Sequence, residues 1–237
     1  MFAPMQTGPA EGALWYVVFL FSTVAHEASH AWSALKLGDD TAARGGQVSL
    51  NPWPHVRREP FGMVVVPLLS WFLGGWMIGW ASAPYDPAWA RQYPRRAALM
   101  AIAGPTANLC LALAAGLLIR VGIEWQVFTS PASLGSMRMT ESLTAGPWEV
   151  VAMILSITLS LNLLLCLFNL IPLPPLDGSS LPLLLLPPAL AEKYQAAMKN
   201  PLFAYAGLLL ASRLLSPFFP HLLIAAARVL YPHESYR

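Results

Sequence analysis

Residues 13–35 read ALWYVVFLFSTVAHEASHAWSAL. A helix needs about 20 apolar residues to cross a bilayer, and this run is long enough. Yet His26, Glu27 and His30 interrupt it in its second half. Ionisable side chains at membrane depth are costly and rare, so each marks a functional site by default. On a helix, His26 and His30 stand at i and i+4, about 40° apart around the axis, so both imidazoles face one way. That is the H-E-x-x-H arrangement, two zinc ligands with a carboxylate placed to act on a water. The competing reading is a pair of polar interior residues bonding across helices, as membrane histidines do.

The rest of the chain makes those three residues conspicuous. Of its 237 residues, 56% are hydrophobic and 11% charged, against roughly 25% charged in a soluble domain. The mean hydropathy is +0.53. Such a composition excludes a disordered chain and a disulfide-stapled scaffold and leaves little room for a soluble domain. A net charge of +2 is too balanced for a phosphate-binding surface, so no nucleic-acid partner is expected. Cys110 and Cys166 sit inside apolar runs and read as small hydrophobes. No cleavable signal peptide is expected, because Glu11 and no Lys or Arg precede the first run.

Further apolar runs cover residues 61–83, 97–118 and 150–171, with a polar loop over 122–149. Residues 179–190 are apolar but short, and the stretch 203–231 is interrupted by Pro217 and Pro220. We read that last stretch as a span followed by an interfacial helix with Arg228 at its edge. The chain is thus an all-α polytopic membrane protein with about 5 (4–6) transmembrane helices. It forms a single domain over residues 1–237, with a catalytic core at 13–178 and C-terminal apolar helices at 179–231. Basic residues gather both before and after the 61–83 run, on opposite sides if that run spans, so the positive-inside rule assigns no orientation.

A zinc hydrolase normally supplies three protein ligands and keeps one position for water. A histidine six residues after His30 would provide the third, but Lys36 stands there. Glu124, Glu141 and Glu149 belong to the polar loop or its edge. Asp177 remains, in the segment NLIPLPPLDG at 169–178. Its prolines end the preceding helix and hold an extended chain that aims a carboxylate sideways, while Gly178 permits a sharp turn. Pro, Asp and Gly are equally the residues of an ordinary turn at a membrane surface.

Together, HEASH at 26–30 and NLIPLPPLDG at 169–178 resemble the site-2 protease family of intramembrane zinc metalloproteases. GPTAN at 104–108 is similar to that family's G-P-x-x-N. Asn51-Pro52 with His55, and Gly79-Trp80-Ala81, resemble a compact bacterial subgroup without PDZ or CBS domains. The resemblance implies one zinc per chain bound by His26, His30 and Asp177, with Glu27 as general base. It implies that Asn108 approaches the substrate backbone or the developing oxyanion. The implied substrate is a membrane protein with a transmembrane segment, cut within the lipid bilayer of a bacterial plasma membrane. The charged turn at 56–62 departs from the subgroup's acidic turn, leaving its role and that of His55 undefined.

Two structural expectations follow. A helical substrate must unwind before hydrolysis, and the glycine-rich segment around Gly74, Gly75 and Gly79 is a candidate extended element for pairing with it. The second expectation concerns direction. His26 and His30 meet Asp177 most easily if the first and fourth runs are parallel, so residues 61–83 should enter and leave on one side rather than span. The alternatives are a membrane transporter, which predicts an inverted repeat that is not evident, and an inactive relative, which predicts the loss of Glu27 or a ligand.

Overall fold

The computed structural model describes residues 8–236; the first seven residues and Arg237 of the expected domain lie outside that range. The decisive run forms helix α1 (Pro9–Leu37). Proline suits a helix start because its missing N–H would have no partner there. The Glu11 carboxylate turns back onto the Gly8 N–H. At the other end Gly38 adopts φ +105°, a conformation open to glycine. The chain then turns so that the Asp39 N–H reaches Ala34 O at 2.9 Å. The short helices α2 (Thr41–Arg44) and α3 (Pro52–Arg58) follow.

Next comes a π-helical turn (Phe61–Val65) running directly into α4 (Val66–Gly74). These 14 residues are about 21 Å long, short of a hydrocarbon core of about 30 Å. At Gly75, φ +66° ends the helix and reverses the chain. It returns without regular structure, and the Trp80 N–H donates to Gly62 O at 3.1 Å. Residue 80 is therefore back beside the start of the helix. The expected element that doubles back over 61–83 is present, and no straight helix passes through Gly74 and Gly75.

After α5 (Pro87–Gln92) come the two long helices α6 (Pro94–Glu124) and α7 (Pro147–Leu170). Between them, the polar loop carries a two-residue antiparallel pairing of β1 (Phe128–Thr129) with β2 (Glu141–Ser142). A 3-10 helix (Asp177–Leu184), α8 (Pro188–Met198) and α9 (Pro201–Leu230) complete the order. Here the structure corrects the sequence reading. Pro217 and Pro220 lie inside one continuous α9 and do not divide it into a span and an interfacial helix. Proline removes a ladder donor without ending a membrane helix that packing holds on both sides. Ala211 precedes the prolines and Leu223 and Ala227 follow them, all buried.

The core assembles around α6, with α1 and α7 packed against it. Trp15, Phe19, Ile157 and Leu161 fill one cluster between α1 and α7. Ala112 and Ala115 of α6 pack with Leu159 of α7 and Leu223 of α9 in another, small residues allowing helices to approach closely. By length and composition α6, α7 and α9 can each cross a membrane. Helix α1 has 29 residues, about 43 Å at 1.5 Å per residue; its apolar character is diluted by the site residues it carries. Leu113, Leu117 and Leu209 are exposed, as side chains facing lipid would be.

Candidate metal centre

Helix spacing alone stacks His26 above His30, and the structure brings both onto the buried side of α1, facing α6. Their Nε2 atoms are 3.0 Å apart. The other ring nitrogen of each is engaged. His30 Nδ1 lies 2.8 Å from Met100 O, which can only accept, so Nδ1 carries the proton. His26 Nδ1 lies 2.6 Å from Asn108 Oδ1. The Asn108 amide nitrogen donates to Asn162 Oδ1 at 2.8 Å, so its oxygen faces His26 and accepts. In the neutral tautomer that these bonds select, both histidines turn Nε2 lone pairs toward one point.

Asp177 faces the same point from the start of the 3-10 helix. Its Oδ2 is 3.1 Å from His26 Nε2 and 3.3 Å from His30 Nε2. That oxygen is buried without a hydrogen-bond donor. Two lone pairs and an anionic oxygen this close repel one another unless a cation sits among them. Zinc bonds of about 2.0–2.2 Å in a tetrahedral site separate donor atoms by about 3.3–3.5 Å, close to the spacings here. The donor set fits zinc. His26, His30 and Asp177 are the group of potential metal ligands among the described residues.

Gly104 of α6 makes the space. A Cβ there would lie 2.4 Å from His30 Nε2 and 2.5 Å from His26 Nε2. Gly178 serves the other side, since a Cβ on it would come within 2.3 Å of Leu170 O. The backbone after α7 can therefore fold tightly enough to deliver Asp177. Glu27 is buried, and it lines a cavity of about 380 Å³ together with His30, Asp177, Ala81 and Ala83.

Asn108, which the resemblance places near the substrate, stands against His26 in the structure. It is fully buried behind His26. Its amide nitrogen also lies 3.4 Å from Ser22 O. With its oxygen on His26, its polar atoms all have partners within the bundle. Asn162 extends the network by donating to Ser22 Oγ at 2.8 Å. This chain from Ser22 through Asn162 and Asn108 to His26 ties α1, α6 and α7 at one level. Sequence reasoning missed Asn162 and Ser22. A buried asparagine inside an apolar run was the available signal, but nothing local names its partner. His55 is also buried, donating from Nε2 to Ser49 O at 3.0 Å, and it does not join the metal group.

The returning segment at 77–86 has a two-residue pattern. The Ile78 N–H donates to Ser70 Oγ (2.9 Å), the Trp80 N–H to Gly62 O (3.1 Å) and the Asp86 N–H to Asp39 Oδ2 (2.8 Å). Ser82 O accepts from Gln47 Nε2 at 3.2 Å. Pro84 has no N–H to offer. In an extended chain, alternate residues direct their backbone groups to opposite edges. The even-numbered edge is tied to the protein, while Gly79, Ala81 and Ala83 have no backbone partner among the described residues. Gly62 and Gly79 permit this close packing, for a Cβ on Gly79 would lie 2.4 Å from Gly62 O.

Comparison with known proteins agrees with this architecture. The profile of peptidase family M50 matches residues 14–213. Over 182 residues the chain is 34% identical to "Putative zinc metalloprotease YwhC" of Bacillus subtilis, covering 76% of this chain and 73% of that one. It is 31% identical to Rip2 of Mycobacterium tuberculosis over 162 residues, covering 68% of this chain and 52% of Rip2. The match thus spans about half the length of Rip2. No solved structure matches. The chain belongs to peptidase family M50, the site-2 protease family. It is a membrane-embedded metalloprotease whose cofactor is zinc.

Proposed function

We propose that this protein hydrolyses peptide bonds within or near the transmembrane segments of other membrane proteins, with the catalytic domain filling the chain. The observation that carries the reading is the convergence of Glu27, His30 and Asp177 on one cavity within the helix bundle. His26, His30 and Asp177 would hold one zinc ion. A zinc ion bound there would supply Lewis acidity toward the scissile carbonyl and the attacking water. Glu27 takes a proton from that water and delivers it to the leaving amine. Asn108 fixes the ring of His26 so that Nε2 stays directed at the metal.

The substrate is a helix whose carbonyls are hidden in its own hydrogen bonds, so it must be opened locally. The free edge at Gly79, Ala81 and Ala83 offers a partner for the unwound stretch by strand addition, and Ala81 and Ala83 line the cavity that holds Glu27. The setting we infer is a bacterial plasma membrane, with a membrane protein as substrate.

The test compares cells carrying the wild type with cells carrying Glu27→Gln and profiles membrane proteins for uncut precursors. Precursors that accumulate only in the variant, at equal levels of enzyme, support the reading. Unchanged processing in the variant contradicts it.

A further inference from the structure

The charged turn at 56–62 has no role in the metal group, yet it holds one residue of the returning segment from several directions. The Ser82 hydroxyl donates to Glu59 Oε1 at 2.6 Å, a short bond to a carboxylate. It accepts from Arg58 Nε at 3.3 Å. The buried Gln47 donates to Ser82 O from a separate loop. Two residues earlier, Trp80 is bonded to Gly62, at the end of the same charged turn. Ser82 is thus the residue of segment 77–86 whose hydroxyl and carbonyl are both used, and its neighbours Ala81 and Ala83 carry the free edge.

We propose that Glu59 and Ser82 are positioning residues for the substrate. Their hydrogen bond, backed by Arg58 and Gln47, fixes the distance and orientation of the Ala81–Ala83 edge relative to Glu27 and the metal ligands. A segment bonded at alternate residues presents its free N–H and C=O groups only while that alternation holds; a slip of one residue exchanges the two edges. A clamp on Ser82 blocks that slip where it matters, one residue from each free position. The proposal rests on the strand-addition reading above and adds the residues that hold the template.

The experiment uses the full-length enzyme in detergent micelles or liposomes and a transmembrane substrate that it cleaves. KM, kcat, zinc content and Tm are measured for the wild type, S82A, E59A, E59Q and A81P. Glu59→Gln keeps an oxygen acceptor for the Ser82 hydroxyl, and Ala81→Pro removes the free-edge N–H without touching the clamp. S82A and E59A should raise KM about three- to tenfold, the range expected for one or two hydrogen bonds, with kcat within about twofold and zinc unchanged. E59Q should remain near the wild type, and the S82A/E59A double variant should be no worse than either single change.

The proposal is overturned if S82A and E59A keep the wild-type KM, if the loss appears in kcat alone, or if E59Q is as impaired as E59A. Should S82A lose zinc, the comparison of E59A with E59Q decides in the same way. A81P separates the two levels of inference. Normal KM in A81P removes the strand-addition reading, whereas impaired A81P beside normal S82A and E59A removes only the clamp.

Discussion

Asn108 Oδ1 accepts a hydrogen bond from His26 Nδ1 at 2.6 Å, so a residue of α6 sets the tautomer of a candidate metal ligand on α1. The pairing converts G-P-x-x-N from a sequence match into a mechanical unit. Gly104 clears room for two imidazoles, and Asn108, one turn later, locks one of them. Losing such a partner of a ligating histidine typically lowers metal affinity about 10–100-fold. Asn108→Ala should show a fall of that size in chelator competition, together with lower activity at limiting zinc. An unchanged zinc affinity would return Asn108 to the substrate-facing role.

Gly104→Ala sets two effects against each other. Alanine favours a helix interior over glycine by about 1 kcal/mol, so α6 itself gains. The added Cβ, however, would fall 2.4–2.6 Å from His30 ring atoms. We expect zinc content to drop to background while helical circular dichroism is retained. A variant that binds stoichiometric zinc would show that the histidines sit elsewhere.

Gly79 and Gly62 govern the returning segment. Overpacking a tight contact costs about 1–3 kcal/mol, and a Cβ on Gly79 would also meet Phe19 and Pro67. Gly79→Val should therefore abolish cleavage while leaving zinc bound, because the metal ligands belong to other elements. Full cleavage by Gly79→Val would mean that segment 77–86 takes no part in substrate binding.

Asp39 supplies a pH dependence remote from the metal. Burial pushes its carboxyl upward, but hydrogen bonds from Thr41 Oγ1, the Thr41 N–H and the Asp86 N–H, with Arg44 nearby, outweigh burial and hold it below the usual carboxylate range. A pKa depressed in the folded state contributes stability above the unfolded value of about 3.9, and that contribution is lost as pH falls through the folded value. Thermal unfolding should show wild-type Tm falling more steeply than that of Asp39→Asn below about pH 4. Parallel curves would exclude Asp39 as the source.

The site was legible in the sequence wherever scarcity of charge made residues stand out. Glu27, the two histidines and Asp177 were visible because carboxylates and imidazoles are expensive inside apolar runs. The doubling back of residues 61–83 followed from a directional constraint, the need to bring Asp177 to His26. The Asn108 partnership was hidden because an amide carries no charge and its partner lies 82 positions away. The continuity of α9 through Pro217 and Pro220 was equally hidden, since buried contacts on both sides of the prolines, and not local propensity, sustain it. The alternate bonding of segment 77–86 needs partners in the π-helical turn, in α4 and on both sides of α2, which no local pattern encodes.

The central claim is that His26, His30 and Asp177 hold a zinc ion on which Glu27 acts to cut a transmembrane segment. Wild type, Glu27→Gln and Asp177→Asn should be reconstituted in liposomes with a transmembrane substrate, and metal content and cleavage sites measured together by mass spectrometry. The wild type should hold one zinc per chain and cut inside the apolar segment. Glu27→Gln should hold full zinc and give no product, and Asp177→Asn should lose zinc and give no product. Cleavage by Glu27→Gln, or wild-type cleavage confined to soluble loops of the substrate, would contradict the claim.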